Sequence, residues 1–409
     1  MTRDLGRNVH GGKSTSTCGI QVVEFSHMVM GPTAGLVLAD LGADVIKIEP
    51  PDGDRTRRLR GSGAGYFPMY SRNKRSIAID LHSETGCAIA KDIIVSSDVL
   101  IENFRPGAME KLGFGEAACT ALNSGLIYCS AKGFLAGPYE QRTALDEIAQ
   151  MMGGLAYMTG PPGRPLRAGA SVVDVLGGVF AAVGILAALH ARATTGKGRV
   201  IRSGLYENCV FLVGQHMAQY VVTGQAAPPM PTRISAWGVY DLFTMRGGEK
   251  IFVGIVSDPQ WQTFCAAFHL EDLAGDKTLS ENNARVQARD RILPRIQQAL
   301  DEYEKGELIG LLEQIGLPFA LVRRPEDLFD DTHLKEHGLL EMKLPEKGGP
   351  AALPALPLEI DGARPGLRHS PPEIGADTWA ILAEYGYDEA HIHRLIGEGV
   401  VIAAPGARS

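Results

Sequence analysis

Asp174 stands at the head of the most apolar stretch of the chain, ASVVDVLGGVFAAVGILAALHAR, residues 170–192. A carboxylate there has two ordinary uses. It can cap the helix that follows, because Asp accepts hydrogen bonds from the free amides of a first turn. It can also act as a nucleophile whose oxygen attacks an activated carbonyl. Asp146, in RTALDEIAQMMGG, poses the same choice. Residues 55–75, RTRRLRGSGAGYFPMYSRNKR, carry seven basic side chains and no acidic one. Guanidinium and ammonium groups suit phosphates, and a solvated loop is the plain alternative. LIENFRPGAMEKLGFG, residues 100–115, leaves a strand through an amide (Asn103), an aromatic face (Phe104) and a cation (Arg105), with Lys111 further on. Ligands bind where strands end in open α/β sheets. Lys132, in SAKGF, follows another strand and poses the same question. The eleven histidines are scattered, the six cysteines form no CxxC pair and no GxSxG occurs. Nothing in that pattern points to a metal site, a disulfide framework or a serine nucleophile elbow.

The elements that must hold these groups are legible in the hydrophobic pattern. GIQVVEFSH reads as a strand, MGPTAGLVLADLGA as a helix and DVIKIEPP as a second strand. RSIAIDL, the helical SETGCAIAKDIIVSS, DVLIENF and GLIYCSAKGF continue the alternation. That order predicts a doubly wound α/β domain, a parallel sheet with helices on both faces. The apolar run from Val172 to His190, broken by Asp174 and three glycines, reads as a buried core helix and not as a membrane span. Its small residues Gly177, Gly178, Ala181 and Ala182 would let a substrate approach the backbone. VVTGQAAPPMP marks a linker. After it, WGVYDLFTMRGGEKIFVGIV reads as two strands about a Gly-Gly turn, followed by helices.

A chain of 409 residues exceeds one ordinary core. The expected organisation is a disordered leader over residues 1–18, the first part of a large domain over 19–215, a linker over 216–230, a small α+β domain over 231–317, and a return to the large domain over 318–409. A net charge of −7 argues against a nucleic-acid partner bound through bulk charge. The polar N-terminus lacks the apolar core of a signal peptide, and the scattered cysteines suit a reducing compartment, so the expected localisation is cytoplasmic.

Seven segments resemble, in unbroken order, the class III CoA-transferases: VVEFSHMVMGP, LADLGADVIKIEPPDGDRTR, YFPMYSRNKRSIAIDL, ENFRPGAMEKLGFG, IYCSAKGF, LDEIAQMMGGLAYMTG and VVDVLGGVFAAVGILAALHARATTGKGR. The resemblance implies an α/β fold with a Rossmann-like large domain built from both chain ends and a smaller α+β domain between. Two such subunits would be threaded through each other as an interlocked homodimer. Asp174 falls where the family has its nucleophile. The family's CoA contacts fall on Val29, Met30, Tyr70, Ser71, Arg72, Asn73, Asn103, Phe104, Arg105, Lys111, Thr143 and Asp146. The implied reaction moves CoA from an acyl-CoA donor, such as succinyl-CoA, to a carboxylic acid through an aspartyl acyl anhydride and an aspartyl-CoA thioester. Coenzyme A thioester is then a substrate, with no permanently bound cofactor or metal.

Two departures narrow this. PPMPTRISAWGVYD stands where formyl-CoA transferases carry a glycine-rich lid, which argues against oxalate. Arg233 within it would suit the distal carboxylate of a short dicarboxylate. Leu145 stands where the racemase branch has His, against the alternative of a 2-methylacyl-CoA racemase or isomerase. A lone carboxylate cannot readily deprotonate one face of a carbon and reprotonate the other.

Overall fold

Near-continuous apolar runs such as Val22-Val23 and Val45-Ile46 suit strands covered on both faces. In the computed structural model, which describes residues 17–233, 235–345 and 349–406, they form the middle of the main sheet. The strands in chain order are β1 (Gln21–Phe25), β2 (Asp44–Glu49), β3 (Lys74–Ile79), β4 (Val99–Glu102), β5 (Ile127–Lys132), β6 (Val200–Gly204), β7 (Val239–Thr244), β8 (Lys250–Ile255), β9 (Phe319–Leu321), β10 (Leu339–Lys343), β11 (Pro350–Pro354) and β12 (Val401–Ile402). The main sheet runs β12-β3-β2-β1-β4-β5-β6. Strands β1 to β6 are parallel, and β12 closes the β3 edge antiparallel. This is the order of a dinucleotide-binding sheet, and the chain changes direction between β1 and β4, where such folds open a crevice at the strand ends.

One face of the sheet packs Ile89, Ile93 and Ile94 of the Glu84–Ser96 helix with Ile381, Ile392 and Leu395 of the C-terminal return. The other packs Ala34 and Leu38 of the Met30–Asp40 helix and Ala181, Ile185 and Ala188 of the Val172–Thr195 helix. The two helices meet closely. A Cβ on Gly178 would come within 2.5 Å of the Met30 carbonyl oxygen and of Thr33, and one on Gly177 within 2.5 Å of the Met30 side chain. Gly177 and Gly178 are therefore what lets the two helices pack this closely. The helix is also covered on one side only: Val179, Phe180 and Val183 are exposed. By length and composition it could cross a membrane, yet seven of its residues are interior to the α/β core.

The chain divides into one unit reaching Pro231 and resuming at His333, and a second spanning Thr232–Thr332. The second unit has the antiparallel sheet β7-β8-β9 and a core of Trp261, Phe264, Ile292, Ile296 and Leu308. Three boundaries move. The Leu205–Thr223 helix runs through most of the expected linker and stops only at Gly224, whose φ of 68° few side chains tolerate. The small unit extends beyond 317 because β9 pairs with β8, a three-residue strand too short to announce itself. Of the expected leader, residues 1–16 lie outside the described residues, while buried Thr17 donates its hydroxyl to Leu38 O at 3.3 Å and belongs to the fold.

Candidate functional site

The Val172–Thr195 helix begins at Ser171, whose side chain makes no capping bond. Its free amides are satisfied from elsewhere. Val173 N and Asp174 N donate to Asp146 Oδ2 at 3.0 and 3.2 Å. Gln150 Nε2 donates to the other oxygen of Asp146 at 2.5 Å, and Gln150 Oε1 accepts from Ala168 N at 2.8 Å. Asp146 is thus the cap of a helix that starts a quarter-century of residues later, and it is buried in that role. Asp174 lies in the first turn and accepts no hydrogen bond on its carboxyl from the described residues. It is half-buried. Burial pushes its pKa up to about 7, the charge of Asp146 pushes the same way, and Arg167 opposes them. The positive end of the helix favours the anion by about 0.3–1 kcal/mol. A rise of about three pH units corresponds to roughly 4 kcal/mol, so burial wins.

Tyr70 and Arg167 complete this mouth. Burial and the charge of Asp174 push the Tyr70 phenol up to about 12, with Tyr66 adding to the effect. Arg167 donates to Glu147 at 2.9 Å and to the Ala168 carbonyl at 3.1 Å, and its Nη2 stands 3.6 Å from Asp146. The Met30 side chain packs against Gly177 one turn into the helix.

A second feature lies at the strand ends on either side of the β1/β4 crossover. Asn103 clasps the loop after β1: its Nδ2 donates to His27 O at 2.7 Å and its Oδ1 accepts from His27 N at 3.0 Å. The His27 and Phe104 rings lie 5.5 Å apart and help line a cleft of about 430 Å³ with Pro50, Arg55, His82 and Leu112. Burial holds His27 below its ordinary pKa, and its Nδ1 has no hydrogen-bond partner. Arg105 and Lys111, flanking this segment, are exposed.

The basic stretch does not act as one patch. Arg72 is wholly buried and pairs with Asp40 at 2.7 Å; Lys74 pairs with buried Glu24 at 2.7 Å, and Arg57 with Glu49 at 2.7 Å. Arg58 pairs with Asp52, and Arg75 with Asp44 and Glu384. Arg55 and Arg60 remain exposed. Asn73, at a φ of 60°, spends its amide on Asp40 and on the backbone of residues 366–369. The expectation that the Arg72 and Asn73 side chains hold phosphate is therefore corrected, since the carboxylates and carbonyls that claim them come from distant sequence. Ser71 and Val29 are buried, and Thr143 is exposed on the turn before Asp146. Lys132 pairs with Glu102 at 3.6 Å. Arg233 is exposed at the start of the second unit. Among the described residues no group of His, Cys, Asp and Glu could hold a metal ion.

The model of CoA-transferase family III matches residues 18–378. The chain belongs to that family. It is 31% identical to the succinyl-CoA:glutarate CoA-transferase of Mus musculus, over 97% of this chain and 94% of the relative. It is 30% identical to the succinate–glutarate CoA-transferase of Agrobacterium fabrum, over 90% and 94%. A crystal structure of a CAIB/BAIF family protein from Brucella suis superposes with a TM-score of 0.81 at 30% identity, covering 91% of this chain and all of the other. This family III CoA-transferase therefore uses CoA thioesters as substrates, and both features described above lie within the matched segment. Sequence reasoning passed over two members of the mouth, Tyr66 and Arg167. Arg167 was within reach, as the cation nearest to Asp174 on its N-terminal side in the sequence.

Proposed function

We propose that this CoA-transferase moves CoA from a donor such as succinyl-CoA to a short dicarboxylate of four to six carbons, with Asp174 as the covalent nucleophile. The observation that carries this reading is the state of Asp174: Asp146 has taken over helix capping, and the Asp174 carboxyl is left desolvated and without a hydrogen-bonding partner. A carboxylate stripped of water and donors is a stronger nucleophile than a solvated one. The substrate class rests on the names of the relatives, which transfer CoA between succinate and glutarate.

The steps balance without a further reagent. Ionised Asp174 attacks the thioester carbonyl, and the tetrahedral adduct collapses to an aspartyl acyl anhydride and CoA thiolate. The thiolate attacks the aspartyl carbonyl and releases the donor acid, leaving Asp174 as a CoA thioester. The acceptor carboxylate attacks that thioester and frees the thiolate again. Attack of the thiolate on the new acyl carbonyl then forms product and restores Asp174. Tyr70, its phenol held protonated by burial and by Asp174, is a donor for the oxyanions of these adducts.

The nucleotide of CoA fits the cleft beside Phe104 and His27, with Arg55, Arg105 and Lys111 as its cations. The loop between His27 and Met30 joins that cleft to the Asp174 mouth. The exposed faces of two helices, including Phe180, Val183, Phe211, Val221 and Val222, support a homodimer, since apolar surface of that extent marks a partner. A cytoplasmic location and the absence of nucleic-acid and membrane partners complete the proposal. Incubation with succinyl-CoA and then hydroxylamine should leave a hydroxamate on Asp174 detectable by mass spectrometry. A label on another residue sinks the reading, and so does α-deuterium exchange of a 2-methylacyl-CoA in deuterium oxide without an acceptor acid.

A further inference from the structure

We infer that Arg167 is the specificity-determining residue for the acyl end, pairing with the distal carboxylate of a dicarboxylic acyl group carried on Asp174. The inference rests on the nucleophile assignment above and names the group that selects the substrate. Three observations support it.

The first is position. Asp146 takes the amide of Asp174 on one carboxylate oxygen and faces Arg167 Nη2 across the other, so a single carboxylate separates the guanidinium from the nucleophile's own backbone. The second is donor capacity. Nε is spent on the Ala168 carbonyl and Nη1 on Glu147, whereas Nη2 makes no hydrogen bond and meets Asp146 only at 3.6 Å. The side chain keeps about a third of its surface exposed, at 32%. A guanidinium with an open edge is suited to a carboxylate.

The third is charge. In the free enzyme one guanidinium faces the carboxyls of Asp146, Glu147 and Asp174. Acylation turns Asp174 into a neutral anhydride or thioester and removes one negative charge from this cluster. A dicarboxylic acyl group brings one back beside Arg167, and a monocarboxylic group does not. The pair with Glu147 is no obstacle, because Glu147 is 60% exposed and such surface pairs exchange readily.

The test compares wild type with Arg167→Met and Arg167→Lys, using purified dimer and acetyl-CoA as donor. Glutarate and its half-amide glutaramate serve as acceptors, and butyrate gives the baseline. Arg167→Met should lower kcat/KM for glutarate by roughly 10- to 100-fold, the loss expected for a charged hydrogen-bonded pair. Because Arg167 also favours the ionised form of Asp174, rates are compared on the alkaline plateau of each protein's own pH profile; there glutaramate and butyrate should change by less than about threefold, and Arg167→Lys should recover part of the glutarate activity. An equal loss with all three acceptors would make Arg167 only a support for Asp146 and overturn the inference, as would unchanged glutarate preference in Arg167→Met. If wild type itself prefers butyrate to glutarate, the substrate class proposed above fails instead, whatever the variant does.

Discussion

Replacing Asp174 with Asn should abolish transfer and make the protein more stable in alkaline buffer. The two effects share one cause. Folding raises the Asp174 pKa from an ordinary carboxylate value to about 7, so the folded chain holds a proton that the unfolded chain has released. With the folded pKa above the unfolded one, the stability contribution is complete below about pH 4 and is lost as pH rises to about 7, flattening beyond. From pH 5.5 to 8 the wild type loses the part between 5.5 and 7, about 2 kcal/mol at 1.36 kcal/mol per unit. Asn has nearly the same shape and does not titrate. Urea denaturation of both proteins at pH 5.5 and pH 8, at equal protomer concentration, gives a double difference from which all other titrating groups cancel. The expected outcome is an Asp174→Asn protein whose stability advantage grows by about 2 kcal/mol between the two pH values, with no transfer at either. A double difference within about 0.5 kcal/mol of zero, or of opposite sign, would refute the desolvated carboxyl. Measurable turnover by Asp174→Asn would refute the nucleophile.

Four further outcomes are expected. The kcat/KM of the wild type should rise with pH through about 7 as Asp174 ionises, and Asp146→Asn, which removes the charge that helps to raise Asp174, should move this limb to lower pH. Arg72→Ala should cost about 3–5 kcal/mol in a denaturation experiment by stranding buried Asp40, where a phosphate-binding arginine would instead raise the KM for CoA thioesters. Arg55→Ala combined with Lys111→Ala should raise that KM with kcat little changed, because contacts to the nucleotide persist in ground and transition states alike. Gly178→Val should destabilise by about 1–3 kcal/mol or more, as its side chain would meet the Met30 carbonyl, and a gain in stability would show that the two helices are not in close contact.

The parallel sheet, the helices between its strands and the candidacy of Asp174 were legible because they depend on local pattern. Apolar runs closed by Pro and Gly mark strands such as β1 and β2, and a carboxylate at the head of an apolar helix is conspicuous in any sequence. The family segments likewise occupy one continuous stretch. What the sequence could not determine is who partners whom across the chain. Arg72, Lys74 and Arg75 look alike in RNKR, yet Asp40, Glu24 and Asp44 claim them from more than thirty residues away. The residue types alone left Asp146 and Asp174 each open to a helix cap, the family resemblance favoured Asp174 as nucleophile, and only folding lays the Asp146 carboxylate across the amides of a helix begun at Val172 and gives it the cap. Strand β12 shows the same limit: two residues acquire a place in the sheet only because β3 offers an unpaired edge. Charge, capping and edge pairing are settled by distances between groups remote in sequence, and those distances exist only once the chain has folded.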